Sequence, residues 1–143
     1  LFYCYTKVRK KLTLYPDAYE ILNYLNQKKI KTGLLTNGLL LAQKNKVKLA
    51  NINNYFDEIV YARMFGSELE KPHRKTFDYI VNKLEVQPEN CIFIGDNLRT
   101  DFEAPFTMNS TTGYINRESN ETTNEFVNFS ISNLNEIKTL IKK

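Results

Sequence analysis

The sequence predicts an α/β fold: a parallel sheet covered by helices on both faces. Amphipathic stretches with a helical period alternate with short apolar runs rich in Ile, Val, Leu and Phe. Successive apolar runs are separated by enough chain for a helical crossover, which is what parallel strands require. At 143 residues the chain is long enough for one domain with a proper core.

The elements follow in order. "PDAYEILNYLNQKK" places Pro16 at a first helical position and gathers Ala18, Ile21, Leu22 and Leu25 on one face. Ile30 to Thr36 reads as a short buried strand, and "NGLLLAQKNKVKLAN" as a helix opened by Asn37 and Gly38. "DEIVYA" is a second strand. "HRKTFDYIVNKLE" is an amphipathic helix with Phe77, Ile80, Val81 and Leu84 on one face. "CIFIG" is a third strand, and "RTDFEAPFTMN" a short helix weakened by Pro105. "TTGYIN" is a fourth strand and "FVNFSI" a short edge strand. "SNLNEIKTLIKK" closes the chain as a helix capped by Ser132 or Asn133.

Composition excludes several classes. A hydrophobic content of 42% with 25% charged residues is ordinary for a globular protein, and no apolar run reaches the 18 to 20 or so residues that span a bilayer. No membrane partner is expected. The net charge of +4 falls in short lysine clusters, Lys10 and Lys11, Lys28 to Lys31, then Lys44, Lys46 and Lys48, at helix ends and outer faces. They lack interleaved aromatics, so they read as solvated surface and no nucleic-acid partner is expected. Cys4 and Cys91 match no metal spacing; Cys91 opens a strand as a small hydrophobe, and a reducing, cytoplasmic setting fits. Asn109, Asn120 and Asn128 head glycosylation-like triplets that read as chance matches. His73, the lone histidine, suits a surface or capping role.

In open α/β sheets, ligands sit outside the carboxyl ends of the strands. Those ends carry Thr36-Asn37-Gly38 and Gly95-Asp96-Asn97, with "EKPH" and its Lys71 after the second strand. Thr36 offers a hydroxyl, and the amides of Asn37 and Gly38 lie where a helix begins, a favourable place for an anion. Lys71 is a compact charge for a phosphoryl oxygen. Asp96 and Asp101 supply oxygen ligands of the kind magnesium takes, and Gly95 permits a sharp turn at the strand tip. Each has an ordinary account alone: a capped turn, a surface lysine, a turn aspartate, an acid near a helix start. Together, in this order, they describe phosphoryl chemistry by positioning and charge neutralisation.

"LLTNG", "EKPHRKTFDYI" and "CIFIGDNLRTDFEA" together resemble the haloacid dehalogenase-like hydrolase superfamily, most closely the phosphatase branch with a cap inserted near the amino terminus. The resemblance covers Leu14 to Leu140. It implies phosphate binding by Thr36, Asn37 and Gly38, and a catalytic and phosphate-steadying role for Lys71. It also implies a Mg2+ ion held by Asp96 and Asp101, and a small phosphorylated metabolite as substrate.

The same resemblance implies a first Asp-x-Asp motif, whose leading carboxylate is the nucleophile and whose second is the acid and base. No Asp-x-Asp occurs in the chain. Asp17, the first aspartate, falls inside a helix. Residues 1–13 instead resemble the end of the cap helix and the return to the core, with 14–143 a partial core. The expected fold is therefore an incomplete Rossmann-like parallel sheet lacking its first, central strand, which leaves a gap between the strands ending at Thr36 and Ile94. The non-Met start suggests a fragment of a longer hydrolase; a degenerate gene product, or "LFYCYTKV" as a replacement strand, are alternatives. Residues 1 to 143 alone are expected to be inactive. The competing functions are a dehalogenase, a non-catalytic phosphate- or metal-binding or regulatory protein, and, from charge only, a nucleic-acid binder.

Overall fold

The computed structural model describes residues 11–118 and 122–141; Cys4 and Asn120 lie outside them, as does most of the segment read as a cap remnant. Among the described residues five parallel strands fall into two sheets. β1 (Gly33–Thr36) pairs with β2 (Glu58–Tyr61), and β3 (Ile92–Gly95), β4 (Thr111–Ile115) and β5 (Phe129–Ile131) form the other in that order. Around them stand α1 (Pro16–Gln27), α2 (Leu40–Ala50), α3 (Arg74–Lys83) and α4 (Glu103–Thr107).

The apolar pattern places the core in two layers. Val60, Phe77, Ile80, Val81, Ala104 and Met108 are buried together where α3 and α4 cover one side. On the other side Ile21 of α1 meets Ile131 and Ile137. Burying aliphatic and aromatic side chains stabilises by about 1.5–3 kcal/mol each, so these two clusters outweigh the exposed helix faces.

Local chemistry adjusts the element boundaries. β1 begins at Gly33 rather than Ile30 because Thr32 is occupied elsewhere: its amide donates to the Asp57 carboxylate at 2.7 Å, and its carbonyl accepts from the amides of Asp57 and Glu58. α2 opens at Leu40, three residues after Asn37, because Gly38 has φ +101°, incompatible with a helical first turn. α3 is capped by His73, whose Nδ1 accepts from the Lys75 amide at 3.2 Å, in line with the capping role expected for it. The closing segment is a 3-10 turn, Leu134–Thr139, whose Asn133 and Glu136 form a reciprocal capping box. Pro105 is tolerated in α4 because it stands in the first turn, where an amide would lack a helical partner anyway.

Among the described residues β1 has a partner on one side only, and so does β3. Between their open edges lies a cavity of about 1190 Å³, lined by Leu34 and Leu35 on one side, Phe93 and Ile94 on the other, and Ile21 and Ile80 from the helices. The gap expected between the strands ending at Thr36 and Ile94 is present, and the parallel order on each side of it agrees with the expected core.

Candidate site at the strand tips

Lys71 joins the two half-sheets. Its ammonium Nζ lies 2.7 Å from Asp101 Oδ1, with only 17% of the lysine side chain and 8% of the aspartate exposed. Its backbone is held by Asn37: the Lys71 amide donates to Asn37 Oδ1 at 2.9 Å, and Asn37 Nδ2 donates to the Lys71 carbonyl at 2.9 Å. A two-point clamp of this kind fixes both position and orientation, since losing either bond leaves a half-buried amide group unsatisfied.

At the tip of β1, the Thr36 hydroxyl lies 3.2 Å from Gln43 Oε1 and 3.3 Å from the Asn37 carbonyl. The Gly38 amide donates to the Glu70 carboxylate, whose other oxygen accepts from Arg63 Nη2 at 2.9 Å. Burial pushes the Glu70 carboxyl up, but the Arg63 guanidinium and the Gly38 amide together hold it below the usual carboxylate range.

At the tip of β3, Asp101 folds back onto the turn. Its Oδ2 accepts from the amides of Asp96 at 3.2 Å and Asn97 at 3.0 Å, while the Thr100 hydroxyl donates to Oδ1 at 3.0 Å. Gly95 is required by this approach rather than by a turn: a Cβ there would stand 2.6 Å from Asp101 Cβ. Asp96, by contrast, is exposed.

The residues singled out from the sequence thus come together. Thr36, Asn37 and Gly38 reach Lys71 through the asparagine clamp, and Lys71 reaches Asp96 and its turn through Asp101. Their chemistry differs from the expectation in two respects. The Gly38 amide is not a helix-start donor, and it already serves an internal carboxylate. Asp101 already accepts from an ammonium, a hydroxyl and two amides, so of the two acids Asp96 is the one open to a cation. Among the described residues no group of three or more His, Cys, Asp or Glu side chains could hold a metal ion. Asp96 suits a hard cation; Asp101 as placed suits the lysine.

Glu70 and Arg63 escaped the sequence reading. The signal available was the adjacency of Glu70 to Lys71 within "EKPH", which places a second charged group at the same strand end. Asp17 is excluded from chemistry by its partners: Arg117 Nη2 donates to it at 3.0 Å and the Leu134 amide at 2.7 Å. Burial raises its pKa, and these donors more than reverse the effect.

A parallel α/β core with a polar centre at the carboxyl ends of its strands defines a broad class of ligand-handling proteins. Comparison narrows it. The family model of haloacid dehalogenase-like hydrolases matches residues 2–105, and the chain belongs to that family. It is 32% identical over 103 residues to glyceraldehyde 3-phosphate phosphatase of Methanopyrus kandleri, covering 72% of this chain and 43% of that protein. It is 30% identical over 136 residues to N-acylneuraminate-9-phosphatase of Rattus norvegicus, covering 92% of this chain and 53% of that one. A crystal structure of a HAD phosphatase from Thermococcus onnurineus matches with a TM-score of 0.80 at 28% identity, over 90% of this chain and 58% of that chain. The chain therefore spans about half the length of the curated relatives it matches. No helix among the described residues is long and apolar enough to cross a membrane.

Proposed function

We propose that this chain supplies the phosphate-steadying part of a phosphatase-type hydrolase acting on a small phosphorylated metabolite. The observation that carries the reading is the placement of Lys71, clamped through its backbone by Asn37 and through its ammonium by Asp101, at the common end of β1 and β3. A lysine so fixed offers two further N–H donors to a phosphoryl oxygen without reorganising. Thr36 adds a hydroxyl beside it. The phosphatase names of the relatives support the same substrate class.

Mg2+ is the cofactor this reading calls for, to neutralise phosphoryl charge when bound. Asp96 would hold it and Asp101 would fix the turn that presents Asp96, further oxygen ligands being needed to complete the shell. The chain's own residues do the rest: Asn37 orients Lys71, Lys71 binds and polarises the phosphoryl group, and Glu70 with Arg63 holds the Gly38 loop. Passage through a phospho-aspartate needs a carboxylate that residues 1 to 143 do not provide, because no Asp-x-Asp occurs and Asp17 is sealed under Arg117.

The test is hydrolysis of a generic phosphate ester. Residues 1–143 are expected to give no turnover with or without Mg2+. A longer polypeptide carrying an Asp-x-Asp strand ahead of residue 1 should turn over only with Mg2+, and Lys71→Ala should abolish it. Turnover by residues 1–143, or full activity of the Lys71→Ala protein, overturns the reading. A non-catalytic phosphate-binding role is the second reading, favoured by the commitment of Asp101 to internal donors. Saturable inorganic phosphate binding to residues 1–143, lost in Lys71→Ala, would support it.

A further inference from the structure

We propose that Asn37 and Gly38 form a deamidation site, held shut by the clamp on Lys71 and by the Glu70 carboxylate, whose product cannot close the clamp again. Of the five glycines in the chain, only Gly38 follows an asparagine. The nitrogen of a following glycine attacks an asparagine side chain most readily, because no Cβ stands beside it. Both residues are half-buried at the tip of β1, and Gly38 has φ +101°.

The reaction needs no co-reactant but water and no change of oxidation state. The Gly38 nitrogen attacks Asn37 Cγ. An N–Cγ bond forms, the Cγ–Nδ2 bond breaks, and the Gly38 amide proton leaves with Nδ2 as ammonia. Water then opens the five-membered imide at either carbonyl, giving aspartate or isoaspartate at position 37.

Two features of the fold oppose the attack. Asn37 Nδ2 donates to the Lys71 carbonyl and Oδ1 accepts from the Lys71 amide, both at 2.9 Å, so turning Cγ onto the Gly38 nitrogen breaks both bonds. The attacking nitrogen is also occupied, since the Gly38 amide donates to the Glu70 carboxylate. Removing its proton would set an amide anion against that carboxylate. Arg63, 2.9 Å from the other Glu70 oxygen, helps hold the carboxyl below its usual range, which makes it a poor base for the proton.

The product makes the event one-way. An aspartate has no donor for the Lys71 carbonyl and sets a second acceptor against it. Isoaspartate in addition inserts a methylene into the backbone ahead of Gly38. Either product leaves the clamp incomplete, so an opening of the strand tips is written into the covalent structure of the chain. The inference goes beyond the phosphatase reading, because the clamp protects Asn37 whether or not Lys71 meets a phosphate.

The test incubates residues 1–143, in a preparation that unfolds cooperatively in urea, beside a synthetic peptide of residues 32–44. Aspartate and isoaspartate at position 37 are followed by mass spectrometry of the tryptic peptide 32–44. The folded protein should deamidate about ten- to a hundredfold more slowly than the synthetic peptide, a factor set by the two clamp bonds. In denaturing urea the two rates should coincide. Glu70→Ala should raise the native rate several-fold, whereas Arg74→Ala, whose ion pair with Asp78 is exposed, should leave it unchanged.

Equal rates in folded protein and peptide overturn the proposal. So does a native rate that simply follows the urea midpoint across Glu70→Ala, Asp17→Asn and Arg74→Ala, with no excess at Glu70→Ala. Deamidated protein, resolved by cation exchange, should unfold at lower urea than the unmodified protein; an unchanged midpoint overturns the claim that the clamp cannot close again.

Discussion

At the strand tips the two halves of the molecule are tied by short polar contacts, whereas along the strands the same halves are separated by an apolar cavity. Asn37 on the β1 side and Asp101 on the β3 side both close on Lys71, within 2.9 and 2.7 Å. A few residues earlier, Leu34 and Ile94 belong to different sheets. The difference shows what each kind of force can do alone. A charged pair and an amide clamp have definite lengths and directions, so they hold a geometry once the loops arrive. Hydrophobic burial has neither, so the helices close over the sheets without bringing the open edges together.

That contrast is open to test, beginning with its strongest contact. Lys71→Met leaves the nearly buried Asp101 carboxylate without its cation and should cost about 3 kcal/mol, read as a lower urea midpoint at pH 7. Adding Asp101→Asn to that variant should recover part of the loss, because the unpaired charge goes with it. If Lys71→Met is instead neutral, the tips are not what couples the halves.

A smaller effect is expected at the clamp. Asn37→Ala removes two hydrogen bonds from half-buried groups and should cost about 1–3 kcal/mol by the same measurement.

Acid should act on both regions through carboxylates held below their ordinary range. Asp17 and Glu70 have lowered pKa values in the fold, so each adds stability above its unfolded value of roughly 4 and loses it as pH falls through the lower folded value. Stability should therefore decline below about pH 4, and Asp17→Asn should flatten part of that decline in urea titrations at successive pH values. The smallest effect belongs to the exposed Arg74–Asp78 pair, 3.1 Å apart and 57% and 44% exposed, where Arg74→Ala should change stability by about 0.5 kcal/mol or less.

The sequence carried the fold because the signals that define it are periodic and local. Phe77, Ile80 and Val81 declare a helix face by spacing alone, and "CIFIGD" declares a strand ending at a polar tip. The positions of Thr36 and Asp96 at strand ends, with Lys71 in the loop after the second strand, were legible for the same reason. What Asp101 and Glu70 do was not. Asp101 reaches Lys71 across 30 positions and Glu70 reaches Gly38 across 32, and nothing in either neighbourhood records the partner. The late start of α2 was hidden too, because a glycine beside an asparagine serves equally as a cap or as the positive-φ residue it proves to be.

Asp17 also imposes an order on how the molecule is assembled. Its acceptors are filled by Arg117 and Leu134, 100 and 117 positions downstream. As the polypeptide leaves the ribosome, the Asp17 charge waits for Arg117 before it gains a cation and for Leu134 before it gains its long-range amide. A nascent chain halted before Leu134 would leave the Asp17 carboxylate without that amide, with α1 held by nearer contacts such as Asn26 on the Tyr55 carbonyl.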